Sequence, residues 1–248
     1  MNLAQIFSSY IFYLSIILVA LVCYIATRQY IKPGFTDIVS IVELLIGLSM
    51  FQKLLLVLAA IPFVGSFCDE WNDGYIGNVV LRCGVKKYAR AKIWSCALSS
   101  FLTMFLGITL YVLILSIKYK LFNYIDYKSD VYADLINISP LMYTYTNITI
   151  FSLGMSVWCV LGMVVSVYIP NKFVALSSPI ILSYLLTEVT NKFPGFINMH
   201  SLVTLNLNLN KGMLINFTYN IGILIFLIIL LALLFRRIVG RRVSNELI

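Results

Sequence analysis

The sequence predicts an all-α, polytopic membrane protein with six transmembrane helices and a short cytoplasmic helix between the second and the third. Three observations lead to this prediction. The 248 residues are 61% hydrophobic and 11% charged, whereas a soluble domain carries about 25% charged residues. Six stretches are apolar over the roughly 20 residues that a bilayer crossing requires. Basic residues cluster beside the ends of these stretches, as the positive-inside rule describes.

The predicted spans run along nearly the whole chain, so we expect 1–248 to form a single transmembrane domain. Each span is expected to be a helix, because backbone groups in lipid must be hydrogen-bonded within the segment. No basic residue precedes the first apolar run, so this run is expected to be a retained span and not a signal peptide. The six spans are predicted at about 8–27, 38–66, 94–117, 146–169, 173–190 and 214–235.

The basic residues also predict the orientation. With six spans both termini lie on one side of the membrane, and both strong basic clusters fall on that side. We therefore expect a multi-pass plasma-membrane protein with residues 67–93 and both termini in the cytoplasm. This placement accounts for the net charge of +8, so the bilayer is the expected partner and nucleic acid is not. The clusters are Arg82, Lys86, Lys87, Arg90 and Lys92, and then Arg236, Arg237, Arg241 and Arg242.

Sequence motifs for catalysis or metal binding are absent. The sequence contains no GxxxxGK[ST] phosphate-binding loop and no HExxH motif. Its five cysteines form no CxxC pair and are expected to be apolar-site thiols. The one histidine, His200, falls in a predicted outer loop, where a solvated side chain is expected. We therefore expect a non-enzymatic chain with no metal or cofactor of its own.

The inner loop between the second and third spans has the most informative residue pattern. Acidic residues at Asp69, Glu70 and Asp73 precede Gly74-Tyr75, and a basic run follows from Arg82. Acids before a helix and bases at its far end suit the helix dipole. The pattern predicts a short amphipathic helix at roughly 75–83, lying along the inner face.

With Tyr88 and Lys92 following Arg82, the loop resembles the first cytoplasmic loop of ABC-2-type transporter permeases. A second similarity is the turn at Asn171 followed by Pro179 within the fifth span, which resembles small six-span bacterial members. The resemblance implies that helix 75–83 is a coupling helix that docks on a separate P-loop ATPase, which would hold ATP and Mg. The residues implied at or near this contact are Asp69, Glu70, Asp73, Tyr75 and Arg82.

The same resemblance implies the function. Members of this group are permease subunits of ATP-binding cassette exporters, so we expect a second permease subunit, identical or related, and export of an amphipathic peptide, drug or lipid-like molecule. The alternative is a membrane scaffold or immunity protein that binds a partner without transport.

Two charged residues fall inside the second predicted span. Glu43 and Lys53 are ten residues apart, about 15 Å along a helix, so they cannot pair with each other. A charge within a span usually faces a bundle interior or a wet cavity, and both residues are therefore candidates for a translocation path. The other interpretation is that the span is long and that these side chains reach an interface.

Overall fold

A computed structural model describes residues 7–31, 37–120, 136, 139–193, 198–204 and 213–246. Within these ranges the chain forms helices and turns and no strand, so the all-α prediction is confirmed. The helices are α1 (Tyr10–Thr27), α2 (Ile38–Gly47), α3 (Ser49–Ala60), α4 (Ser66–Asn72), α5 (Tyr75–Cys83), α6 (Val85–Ser116), α7 (Pro140–Tyr168), α8 (Lys172–Thr190), α9 (Met199–Val203) and α10 (Met213–Glu246).

Five of the described helices, α1, α6, α7, α8 and α10, are long and apolar enough to cross a membrane. The bent pair of α2 and α3 becomes a sixth candidate if it is counted as one span. These helices indicate a membrane-embedded protein. Most of the predicted outer loop 118–145 lies outside the described residues.

The helices begin where the sequence offers capping groups. The Asp37 carboxylate accepts a hydrogen bond from Ser40 N at the start of α2, 3.1 Å away. Ser139 caps α7, and Pro140 follows it at the first helical position. Asn171 caps α8 through Phe173 N at 2.8 Å. These side chains satisfy backbone N–H groups that have no partner within the helix.

Helix α7 occupies the centre of the bundle. Its most apolar window is 78% buried, whereas the corresponding windows of α8 and α10 are each 22% buried. It packs against α6, α8 and α10, and also against α3 and α9. The peripheral helices leave large apolar side chains exposed, including Tyr10 on α1 and Phe226 on α10, as expected of faces that meet lipid or another subunit.

Glycines permit two close helix contacts. A Cβ at Gly107 on α6 would lie 2.5 Å from Val19 Cγ1 on α1, and a Cβ at Gly162 on α7 would lie 2.5 Å from Pro179 Cγ on α8. Small residues at such points are a common feature of membrane helix packing. The first pair of helices therefore depends on Gly107, and the second on Gly162.

We call the end of the bundle that carries α4, α5, the first turn of α6 and the last turns of α10 the basic end, and the other end the far end. Gly240 on α10 lies against Val85 at the basic end. Helix α1 runs in the same direction as α6, because Val19 meets Gly107 and Thr27 meets Tyr111 further along both helices. The start of α1 and the end of α10 therefore both point toward the basic end.

The second predicted span is not one straight helix. Helices α2 and α3 meet at an angle of 84°, and Leu48 between them has the extended torsions φ −77° and ψ 92°. The Gln52 side chain donates a hydrogen bond to the Ile46 carbonyl, which the break deprives of a helical partner. Helix α3 ends at Ala60 and residues 61–65 form a turn, so the helical part of 38–66 is shorter than predicted.

Two other helices continue past the charged residues that bounded the predicted spans, and α7 begins at Pro140, six residues before its predicted start at 146. Helix α6 begins at Val85, nine residues before the predicted start at 94, and α10 continues to Glu246 instead of ending near 235. The prediction ended each span at the first charged residues. A helix can continue beyond the apolar region because its backbone hydrogen bonds are internal to it.

Candidate functional site

Helix α4 is attached to α6 by a buried ion pair. The Glu70 carboxylate lies 2.8 Å from Lys92 Nζ, and the two side chains are 19% and 1% exposed. The Tyr88 hydroxyl donates to the same carboxylate at 2.7 Å. Lys92 also donates to the Ser66 carbonyl at 3.2 Å and lies 5.1 Å from the centre of the Phe63 ring. Both charges are therefore compensated, as burial requires.

A second attachment joins α4 to the turn between α7 and α8. Lys172 Nζ lies 2.6 Å from the Asp69 carboxylate, and both side chains are largely exposed. The Asn72 side chain donates to the Pro170 carbonyl at 3.2 Å. The exposed pair contributes little stability, but the two contacts place the end of α4 beside the first turn of α8.

A third attachment joins α4 to α10. The Arg242 guanidinium lies 4.2 Å from the centre of the Trp71 ring and donates to the carbonyls of Val167 and Tyr168 at the end of α7. Phe67 stacks on Trp71 and meets Phe235 of α10 edge to face. Helix α4 thus contacts α6, the α7–α8 turn and α10 through separate residues.

Helix α5 coincides with the predicted amphipathic helix at 75–83. Glycines with positive φ bound it on both sides, Gly74 at 66° and Gly84 at 77°, a conformation that glycine adopts with little strain. Ile76 and Val80, one helical turn apart, are buried against the bundle. Leu81 is 82% exposed, so the opposite face is open to a partner or to lipid.

The residues predicted at the ATPase contact divide into two groups. Asp73, Tyr75 and Arg82 are exposed, and Tyr75 and Arg82 line a groove of about 420 Å³ between α5 and α6. Glu70 instead points inward to Lys92, and Asp69 is paired with Lys172. The order of residues in the loop does not predict the inward pairing of Glu70.

Lys53 is half-buried at the contact between α3 and α8. Its Nζ donates to Ser183 Oγ of α8 at 3.0 Å, next to a cavity of about 20 Å³ that His200 and Thr187 also line. Such a volume has room for about one water molecule. The cavity is therefore a small polar site between α3, α7, α8 and α9.

Glu43 lies elsewhere. Its carboxylate accepts a hydrogen bond of 2.5 Å from the Tyr143 hydroxyl, in the first turn of α7. The two charges of the second predicted span thus have different partners, as their spacing predicted. They do not share one cavity.

His200 differs from the solvated residue that the sequence led us to expect. It is half-buried on α9 and lines the same small cavity as Lys53. Val203 of α9 packs against Gly154, and a Cβ at Gly154 would lie 2.7 Å from Val203 Cγ2. Because Gly154 is near the middle of α7, α9 enters the bundle instead of lying over its surface. No motif in the sequence indicated this.

Comparison with protein-family models, with curated proteins and with solved structures gives no match.

Proposed function

We propose that this chain is the membrane-spanning permease subunit of an ATP-binding cassette exporter, with the basic end in the cytoplasm of a plasma-membrane protein. The observation that carries the proposal is the three-way attachment of α4 at the base of the exposed helix α5. The second support for the proposal is the sequence resemblance of this loop to ABC-2-type permeases. The energy for transport would come from ATP and Mg held by a separate P-loop ATPase.

The α4 contacts provide a route from a docked partner to the spanning helices. Force on α5 reaches α4 through the short turn around Gly74. From α4 it reaches α6 through Glu70 and Lys92, α8 through Asp69, and α10 through Trp71. A loop that only solvated the inner face would need none of these attachments.

The polar cavity at Lys53 supports a substrate path through the middle of the bundle. A charge at such a depth costs about 2.5–3.5 kcal/mol to insert, which favours a role for it. The cavity holds about 20 Å³, far less than an exporter's substrate needs. Transport would therefore require α3, α8 and α9 to separate, opening the path around Lys53. Glu43 would then lie nearer the far end of the same path.

The exposed apolar faces of α1, α8 and α10 leave room for the second permease subunit as well as for lipid. Phe173 on α8 is 79% exposed and Tyr10 on α1 is 77% exposed. A homodimer or a heterodimer would cover part of this surface. The proposed substrate class is an amphipathic peptide, drug or lipid-like molecule.

The test is co-expression of the chain with those P-loop ATPases of the same genome that lack spans of their own. We expect one of them to copurify with the chain and to hydrolyse ATP in the complex. Arg82→Glu on α5 should lower the amount of copurified ATPase at least roughly tenfold, a loss of about 1.4 kcal/mol. Arg28→Glu is the matched control, because Arg28 follows α1 at the far end.

Two results would contradict the proposal. One is that no P-loop ATPase binds the chain. The other is that Arg28→Glu weakens binding as much as Arg82→Glu does. A partner without ATPase activity that binds through the basic end would favour a membrane scaffold or immunity protein.

A further inference from the structure

A second groove at the basic end, separate from the α5–α6 groove, has basic side chains at half of its lining positions. It has a volume of about 510 Å³ and lies between the first turn of α6 and the last turns of α10. Four basic side chains surround it, Lys86 from α6 and Arg236, Arg237 and Arg241 from α10. Val85 and Leu233 form an apolar wall.

The groove brings together residues that are about 150 positions apart in the chain. Arg236, Arg237, Gly240 and Arg241 occupy one face of α10, because positions i, i+1, i+4 and i+5 lie close together on a helix. A Cβ at Gly240 would meet only Val85, at 3.8 Å. The absence of a side chain at Gly240 therefore leaves the floor of the groove open.

Within the part of the chain that the structure describes, the charges of the groove have no counter-charge. Among the side chains that the structure describes, no carboxylate forms an ion pair with Lys86, Arg236, Arg237 or Arg241. The N-terminus of α6 adds positive potential, since Gly84 offers it no side-chain cap. Several cations around one cavity repel one another, and an anion in the cavity would relieve this repulsion.

An apolar stripe leads away from the groove along α10. Phe226, Leu230 and Leu233 are 61%, 43% and 58% exposed, and their spacing places them on one side of the helix. A free phosphate would use only the cations. An acyl chain would also use the stripe, because it buries apolar surface.

We propose that this groove binds the phosphate headgroup of an anionic phospholipid, with an acyl chain against the exposed stripe of α10. Basic pockets between transmembrane helices on the cytoplasmic side have the chemistry for such headgroups. The proposal does not rest on the transport function, because the groove is separate from α5 and from the Lys53 cavity. It assigns the three arginines a ligand in addition to any effect on orientation.

The experiment measures phospholipid binding to the purified, delipidated protein by native mass spectrometry. The probes are phosphatidylglycerol and phosphatidylcholine with identical acyl chains. We expect phosphatidylglycerol to bind more tightly. Its affinity should fall roughly 25-fold in the double variant Arg236→Gln/Arg241→Gln, taking about fivefold for each cation near an anionic headgroup.

Two controls separate a built site from general surface charge. Lys87→Gln/Arg90→Gln removes two cations from the same part of α6 without touching this groove, so the affinity should change less than about twofold, as expected for charges outside the site. Gly240→Leu fills the floor without altering the charge, and should weaken phosphatidylglycerol binding. Gly240→Ala should leave binding nearly unchanged.

Three results would overturn the proposal. Equal losses in the two double variants would show a diffuse charge effect. Phosphatidylcholine binding as tightly as phosphatidylglycerol would remove the role of the cations. The third result has two parts: millimolar inorganic phosphate displaces phosphatidylglycerol, and Gly240→Leu leaves phosphatidylglycerol binding unchanged. Together they would show a site for free anions.

Discussion

At the scale of single residues, the Glu70–Lys92 pair is the most consequential contact in the inner loop. Lys92 is only 1% exposed, so it cannot recover hydration if its partner is lost. The resemblance to permease loops includes Lys92 and predicts an ATPase contact at or near Glu70. Its inward direction depends on how α4 packs between three other helices, which spacing alone does not reveal.

We predict that Glu70→Gln lowers the free energy of unfolding by about 3–5 kcal/mol, because it leaves the Lys92 charge buried without a counter-charge. Asp69→Asn is the matched control, and should cost at most about 1 kcal/mol because its ion pair is exposed. The double variant Glu70→Gln/Lys92→Met should recover most of the loss. Equilibrium unfolding in mixed micelles measures all three, and equal effects of Glu70→Gln and Asp69→Asn would contradict the prediction.

Lys53 allows a functional prediction at the same scale. Lys53→Met keeps roughly the length of the side chain and removes its charge. The variant should therefore fold, and its thermal stability should be equal to or higher than that of the wild type. If Lys53 lines a substrate path, hydrolysis of ATP by the complex should lose its stimulation by amphipathic substrates. The measurement compares the stimulated and basal rates of ATP hydrolysis in the variant.

Ser183→Ala is the matched control for Lys53→Met. It removes the hydroxyl that Lys53 Nζ contacts at 3.0 Å while keeping the charge. A smaller loss of stimulation is expected than in Lys53→Met. Full stimulation of ATP hydrolysis in Lys53→Met, together with raised thermal stability, would contradict a role of Lys53 in a substrate path. It would favour the interpretation that the side chain only reaches the membrane interface.

At the scale of elements, helices marked by local residues were predicted well, whereas features that depend on distant contacts were not. Helix α5 was predicted at roughly 75–83 because acidic residues precede an amphipathic stretch and a basic run follows it. The structure adds that Gly74 and Gly84, both with positive φ, bound the helix. The break at Leu48 was missed because a hydropathy window records composition and not direction. The sequence predicts an outer loop at the position of α9, because the burial of α9 depends on its contact with Gly154 in α7, which is distant in sequence.

The glycine at the α1–α6 contact gives a prediction about packing. Gly107→Ala should destabilise the protein by about 1–3 kcal/mol despite the better helix propensity of alanine, because its Cβ would collide with Val19 and lie 3.2 Å from the Ile16 carbonyl. Gly222→Ala on α10 is the matched control. No atom lies within 4 Å of its Cβ position, so it should stabilise by up to about 1 kcal/mol.

Thermal unfolding of the two purified glycine variants is the measurement. The unfolding midpoint should fall for Gly107→Ala and rise or stay unchanged for Gly222→Ala. If both variants are stabilised, the close approach of α1 and α6 is not a feature of the folded protein.

At the scale of the whole molecule, the described helices run back and forth between the two ends of the bundle. Helix α1 ends at the far end, and α4 lies at the basic end, so the bent pair α2–α3 carries the chain between them. Helices α6, α7, α8 and α10 then alternate in direction. The start of α1 and the end of α10 therefore lie toward the same end of the bundle, and six crossings remain a prediction that depends on counting α2–α3 as one span.

The central claim is that the basic end faces the cytoplasm, because both the proposed ATPase contact and an inner-leaflet lipid site require it. Single cysteines at Leu81 on α5 and at Lys120 beyond α6 report on the two ends. Both positions are exposed, and Cys83→Ser provides the background, since the other four native cysteines are buried.

The decisive measurement is labelling of these two variants by a membrane-impermeant maleimide on intact cells and on permeabilised cells. We predict that Lys120→Cys is labelled in both preparations and that Leu81→Cys is labelled only after permeabilisation. Labelling of Leu81→Cys on intact cells, with protection of Lys120→Cys, would place the basic end outside and contradict the account.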